Sequence, residues 1–254
     1  MPDREDTRMK TKQMVLWTWR NIGKVNLIWF FICFCTTYII ICTAITLSST
    51  AQDATMNGIV FSSLINLLVI GIIAFPVALR FGLGNSVSRR TIFKGLAGFS
   101  LWIAAVSAAA DLILILLFSQ IIHTNGDIIG MLYPGYRAEH GEVQFYLLLV
   151  CSTLLFLLAF NGIGLCIGGA YYRMNKQARV IVSVSVPLVV FFILPLLITL
   201  FPDSFGRVFG GLLESAFELL SNPLWLLLAL ACIYLLSFFF LWLLIRRAPA
   251  ERVR

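Results

Sequence analysis

Charge is scarce in this sequence. Only 12% of its 254 residues are charged and 60% are apolar, where a soluble domain carries about 25% charged residues and about 45–50% apolar ones. With a mean hydropathy of +0.93, that balance excludes a soluble globular domain and a disordered chain. It also excludes a nucleic-acid reader, despite a net charge of +7. Histidine is nearly absent, with His123 and His140 both in one polar stretch. There is no H-E-x-x-H, no G-x-S-x-G and no G-x-x-x-x-G-K-[ST]. The single Gly-Lys pair, Gly23-Lys24, lacks the upstream glycine that a phosphate-cradling loop needs. No enzyme is therefore expected in this chain, and neither is a bound cofactor. Cysteine offers no staple either. Cys33, Cys35, Cys42, Cys151, Cys166 and Cys232 all fall within apolar runs, where they read as small apolar filler rather than a disulfide framework or a metal site.

What the chain has instead is long apolar runs. Six of them, 27–47, 59–79, 96–122, 145–170, 180–201 and 223–245, are 21–27 residues long. A bilayer core of about 30 Å needs about 20 residues of helix. Strand-like alternation is absent, and continuous helices satisfy their own backbone groups in lipid. The expectation is an all-α membrane protein with six transmembrane helices. Residues 1–26 form a tail and interfacial helix, 27–245 the transmembrane domain, and 246–254 a basic tail. The first run is too long for a signal-peptide core and is read as an uncleaved span, although Ser49-Thr50-Ala51 follows it.

Basic residues are distributed unevenly. The N-terminal tail, the connections after the second and fourth runs, and the C-terminal tail carry 17 Lys and Arg. The opposite side carries two, Arg137 and Arg207, beside Asp53, Asp127, Glu139, Glu142, Asp203, Glu214 and Glu218. The positive-inside rule puts both termini in the cytoplasm of a cell-membrane protein.

Four connecting segments carry more than topology. In Met9–Lys24, Lys10, Gln13, Arg20, Asn21 and Lys24 share a polar arc, and Met14, Val15, Leu16, Trp19 and Ile22 oppose it. This is the pattern of an amphipathic interfacial helix, in which Trp17 is the misfit. In Arg80–Gly95, Gly82, Gly84 and Asn85 mark a turn, and Ser86 or Ser88 is suited to cap a following helix. Ile92 and Phe93 then stand beside Arg89, Arg90 and Lys94, an apolar pair that calls for a covering protein surface. Residues 201–222 alternate apolar and charged positions at helical spacing around Gly210-Gly211, as an external amphipathic helix or re-entrant hairpin would. The outer stretch 123–144 reads as a solvated acidic loop, with no recognisable metal-ligand spacing.

Within the runs one residue is charged, Asp111. An Asp near a span centre costs about 2.5–3.5 kcal/mol on insertion scales. It is either a functional polar site or a structural hydrogen bond. Asn161, on the fourth run, is a second candidate for a substrate pathway. Gly164 and Gly168 are in small-xxx-small spacing, suited either to packing within the chain or to a dimer contact.

Together these features resemble the six-span permease subunit of bacterial ABC-type exporters of the type-2 export superfamily. The resemblance rests on the helix before the first span and on Gly84-Asn85-Ser86-Val87-Ser88-Arg89-Arg90-Thr91-Ile92-Phe93, similar to a G-x-S-R-R/K-x-x-F stretch. It rests also on the external segment ending Ser221-Asn222-Pro223 and on Leu244-Ile245-Arg246-Arg247-Ala248-Pro249. It implies ATPase subunits as partners, which would bind ATP and Mg, and a second permease subunit, as homo- or heterodimer, in membrane lipid. It implies that Gly84–Lys94 is a coupling helix: Ile92 and Phe93 as anchors, with Ser88, Arg89, Arg90 and Lys94 around them. Arg173 and Lys176, in Tyr171–Arg179, would make a smaller contact. Asp111 belongs to no motif of that family. The apolar, aromatic spans (Trp29, Phe30, Phe31, Tyr38, Trp102) suit a lipophilic drug-like or peptide substrate. The alternatives are a proton-coupled carrier using Asp111 and a non-transporting scaffold or sensor subunit.

The charge asymmetry yields a topology test. Single cysteines replacing Glu142 or Asp203 are expected to react with an impermeant thiol reagent added outside intact cells, and those replacing Arg90 or Lys176 are not. External labelling at position 90 would overturn the orientation.

Overall fold

The computed structural model describes residues 4–47, 59–118, 141–193 and 222–246, with residues 130, 132, 133, 136, 195, 196 and 200. Among these every regular element is helical. They are α1 (Arg4–Thr18), α2 (Lys24–Leu47), α3 (Ile59–Gly84), α4 (Arg89–Phe118), α5 (Glu142–Arg173), α6 (Lys176–Leu188) and α7 (Pro223–Arg246). A π turn, Trp19–Gly23, joins α1 to α2, and another, Val189–Ile193, follows α6. Four helices are long and apolar enough to cross a membrane: Val60–Gly84, Arg89–Leu117, Glu142–Arg173 and Pro223–Arg246. They coincide with the second, third, fourth and sixth apolar runs. The chain is an all-helical, multi-pass integral membrane protein. The first run lies on α2, and the fifth begins on α6. The segment read as an external amphipathic helix or re-entrant hairpin, 201–222, lies outside the described residues except for Asn222, as does most of 123–144.

The core of the bundle is α3, α4, α5 and α7, with α5 lying between α3 and α7 and α4 packing on all three. Lipid tails are as apolar as leucine, so helices in a bilayer associate through close packing and hydrogen bonds rather than by escape from water. The seam between α3 and α5 shows how. A Cβ on Gly164 would collide with the Leu68 carbonyl, one on Gly168 would lie 2.5 Å from the Ile72 oxygen, and one on Gly71 would lie 2.6 Å from the Asn161 oxygen. Glycine at these three positions lets two backbones touch. The small-residue spacing on α5 therefore serves packing within the chain. Asn161, fully buried, closes the seam by donating Nδ2–H to the Leu67 carbonyl at 2.9 Å. On its other side α5 meets α7, where Gly162 faces Ser237 and the Cys166 Sγ–H donates to the Ser237 carbonyl.

The N-terminal helix packs one face against the bundle. Met14, Thr18 and Ile22, one turn apart, are buried. Met14 sits where Gly95 of α4 has no side chain, at 2.6 Å from where a Cβ would be, and Val15 sits over Gly98. Trp17, the misfit of the amphipathic pattern, stacks flat on Phe81 of α3, with centroids 3.7 Å apart and planes 10° apart. Leu16, expected on the apolar arc, is exposed. The helix is thus clamped to the protein along a stripe one turn wide. By contrast α2 and α6 pack little on the bundle. Trp29 and Ile40 on α2 and Val180 and Ile181 on α6 each expose more than half of their surface. Exposed apolar surface of that extent belongs in lipid or against another membrane protein.

The glycine seam gives a stability test. Gly164→Ala is expected to lower bundle stability by about 1–3 kcal/mol, because its obstacle is a backbone carbonyl rather than a side chain that can swing away. Gly84→Ala, whose added methyl would meet nothing within 4 Å, is expected to change it by less than about 0.5 kcal/mol. Thermal unfolding of the two variants in detergent compares them; equal effects would show that the seam tolerates a methyl.

Candidate functional site

The turn between α3 and α4 is built so that its backbone is fully accounted for. After Gly84 the Val87 N–H donates back to the Gly82 carbonyl at 2.8 Å and the Ser86 N–H to the Leu83 carbonyl at 3.2 Å. These two bonds are the Schellman closure of a helix C-terminus, which demands a left-handed residue at the position held by Ser86. Ser86 has φ +56°. A side chain in that conformation costs about 1 kcal/mol relative to glycine, so the turn is held by its surroundings and not by local preference. The Asn85 side chain adds a bond to the Phe81 carbonyl at 2.8 Å. Ser88 then caps α4, accepting from the Thr91 N–H at 3.2 Å and sharing a hydroxyl bond with Thr91 at 2.8 Å. Of the two serines suited to the cap, Ser88 takes it. Four residues, Asn85 to Ser88, reverse the chain between two long helices, leaving a stiff connection.

Arg89 ties this turn to the end of α7. Its guanidinium donates to the Ile245 carbonyl at 3.5 Å and, closely, to the Arg246 carbonyl. The last carbonyls of a helix have no intrahelical donors and carry the negative end of its dipole, so a cation is favoured there. A displacement of the turn is thereby communicated to α3, α4 and α7 together, and Trp17 and Met14 place α1 against the same corner.

The structure redistributes the residues read as a coupling surface. Ser88 and Arg90 are exposed, Arg89 is half-buried at the end of α7, and Lys94 is exposed. Ile92, expected as an exposed apolar anchor, is completely buried. It occupies the space above Gly82, at 2.6 Å from where a Cβ would be. The reason is that α4 begins at Arg89, so Ile92 falls in its first turn facing back toward α3. Phe93 is half-buried and meets Phe238 and Trp242 edge-on, at 5.9 and 5.3 Å between centroids. The surface left for a partner is the polar turn Asn85–Ser88 with half-buried Val87. Arg173 and Lys176, both exposed, flank a second short connection, Met174–Asn175, between α5 and α6. There the Arg179 guanidinium donates to the Met174 carbonyl at 3.3 Å. Next to it, Arg80 and Arg179 edge a groove of about 300 Å³ floored by Pro76, Gly168 and Tyr172, with Arg80 5.9 Å above the Tyr172 ring.

Asp111 and Asn161 do not come together with these residues. Asp111 is 0% exposed in the contact between α4 and α3, where Ser63 donates its hydroxyl to Oδ1 at 2.6 Å. Its Oδ2, and the Ser107 hydroxyl one turn away on the same helix, find no partner among the described residues. Asn161 is the tie in the α3–α5 seam and lines neither groove described. Among the described residues no group of His, Cys, Asp and Glu could hold a metal ion. Reading of the sequence missed Ser63, because a serine in an apolar run carries no signal until its partner is known. It missed Arg89 as a helix cap because the capped helix ends more than 150 residues later.

Comparison with known proteins adds no relative: no protein family matches the chain, and no curated protein or solved structure is similar to it.

Ser63→Ala leaves the Asp111 carboxyl without its bond and is expected to destabilise the protein by about 1–3 kcal/mol. Combined with Asp111→Leu, the two losses should be smaller than their sum by about 1 kcal/mol, since the second change removes the group that the first left unpaired. Unfolding of both single variants and the double variant measures this; strict additivity would show that the pair contributes nothing to stability.

Proposed function

We propose that this protein is the permease subunit of an ATP-driven exporter in the cell membrane, with six spans and both termini in the cytoplasm. ATP and Mg would be bound by a separate ATPase subunit that docks on the α3–α4 turn. The observation that carries this reading is the construction of that turn. A permease without nucleotide chemistry receives work only through a contact that differs between two states of its partner. Such a contact needs a stiff surface joined to several spans. The Schellman closure at Ser86, the Ser88 cap and the Arg89 bonds to the end of α7 supply one. A proton-driven carrier has no use for it. The resemblance of Gly84–Phe93 to the type-2 export permeases supports the same reading. Ile92 leaves the docking set because it is buried, and Phe93 because it packs on Phe238 and Trp242; Asn85, Ser86 and Val87 join Ser88 in it, with Arg173 and Lys176 at the neighbouring connection.

α2 and α6, whose apolar flanks are uncovered, are the surfaces offered to a second permease subunit, and the extruded substrate is a lipophilic drug-like molecule or peptide. A proton-coupled carrier is the second reading, favoured by one observation, the unpaired Oδ2 of Asp111 deep in the bundle.

Reconstitution with the ATPase subunit in proteoliposomes separates the two. Under the leading reading transport follows ATP and survives collapse of the proton gradient. Arg89→Ala, which frees the turn from α7, raises the ATP consumed per substrate exported by about fivefold or more without preventing ATPase binding. Transport that stops with the gradient while ATP is held constant, or an Arg89→Ala variant with wild-type coupling, would sink the proposal.

A further inference from the structure

A second groove, on the flank of the bundle rather than at its tip, combines features that the docking turn does not use. Arg90, Phe93 and Lys94 from the first turns of α4, and Phe238, Phe239 and Trp242 from the last turns of α7, enclose about 480 Å³. That is within the usual range for a small-molecule site, about 300–1,000 Å³. Its floor is aromatic: Phe93 meets Phe238 and Trp242 edge-on, and Phe239 is 58% exposed. Its rim is cationic. Arg90 and Lys94, one helical turn apart, are exposed, and neither has a hydrogen bond or ion pair among the described residues. The groove lies where both helices change from apolar to basic, at Arg89-Arg90 in one and Arg246 in the other. It runs from that level to Phe238, two turns deeper along α7.

We propose that this groove is a binding site for one anionic phospholipid. The headgroup phosphate pairs with Arg90 and Lys94, and an acyl chain lies over Phe93, Phe238, Phe239 and Trp242. Charge complementarity selects the occupant. A cationic rim above an apolar floor matches an amphiphile with a negative head. A second copy of the chain placed on this face about a twofold axis would bring the same two cations against themselves. A zwitterionic lipid would bring its own cation into the rim. Basic residues at a membrane surface favour acidic lipid by an amount that, for two of them, corresponds to a preference of about tenfold or more. The site stands whether or not the chain is a permease, and the orientation reading decides only which leaflet supplies the lipid.

The full chain is reconstituted in nanodiscs of phosphatidylcholine containing a minority of either phosphatidylglycerol or phosphatidylcholine with brominated acyl chains. The Trp242 contribution to quenching is read as the difference between the wild type and Trp242→Phe. Brominated phosphatidylglycerol is expected to quench Trp242 at about one tenth of the lipid fraction that brominated phosphatidylcholine requires. Arg90→Gln with Lys94→Gln should remove most of this preference while leaving quenching of the remaining tryptophans unchanged. Arg173→Gln with Lys176→Gln, an equal charge loss away from the groove, should keep it. Excess glycerol phosphate should leave the quenching in place. Four results would overturn the proposal: equal quenching by both lipids, which makes the groove ordinary lipid-facing surface; no quenching of Trp242 by either, which means protein covers it; equal loss in both double variants, which makes the preference a bulk charge effect; or relief by glycerol phosphate, which makes the ligand a soluble phosphate.

Discussion

The close approach of α3 and α5 is the constraint on which the rest of the bundle depends. Two helices can bring their backbones together only where side chains are missing, and Gly71, Gly164 and Gly168 are placed so that each faces backbone of the other helix. In a solvent that gives no hydrophobic drive to association, this contact and the Asn161 bond to the Leu67 carbonyl are what helix pairing can draw on. Once α3 and α5 are fixed, α7 can seat on the far side of α5 at Gly162 and Cys166. The position of α4 is then set by the four-residue turn and by Ser63 meeting Asp111. The end of α7 in turn comes within reach of Arg89.

Much of this was legible in the sequence because lipid imposes a simple rule on composition. The four long helices coincide with apolar runs, and their cores were placed correctly. Their ends were not. The second run was bounded at Leu79 because Arg80 is charged, yet α3 continues to Gly84. A charge ends the lipid-soluble part of a helix without ending the helix, which stops where a cap stops it, here at Ser86. The start of α7 was better marked, since Asn222 caps it through its side chain, at 3.0 Å from the Leu224 nitrogen, and Pro223 suits its first position. Ser88 was readable as a cap because its partner Thr91 is three residues away.

Long-range pairings were not readable. Gly71 carried no signal until Gly164 and Gly168 were seen beside it. Trp17 shows as a misfit on a polar arc, but its partner Phe81 is on another helix and is not readable from the pattern. Ile92 misled for a related reason. A one-dimensional reading places an isoleucine among arginines on the surface, whereas its direction depends on the residue at which α4 starts. Asp111 stood out for the opposite reason. A lone acid in 30 residues of apolar helix is conspicuous, but what it bonds is not. Part of the resemblance to export permeases rests on the short stretch around the α3–α4 turn. That stretch forms a compact, capped corner in the structure, and the resemblance and the stiffness of the corner are separate supports for one reading.

The pairing of Asp111 with Ser63 has a bearing on how the chain enters the bilayer. The two residues sit on consecutive helices joined by a four-residue turn, so their bond is available as soon as α4 has been synthesised, before any of α5 exists. An acid that would resist partition alone can therefore move from the insertion machinery into lipid already paired, with α3 and α4 crossing as a helical hairpin. The glycine contact between α3 and α5 must wait for a helix made later, so in the interval the glycine face of α3 lies open to lipid. The order of helices along the chain thus puts the polar pair first and the tight packing second. That is the order in which a nascent membrane protein needs them.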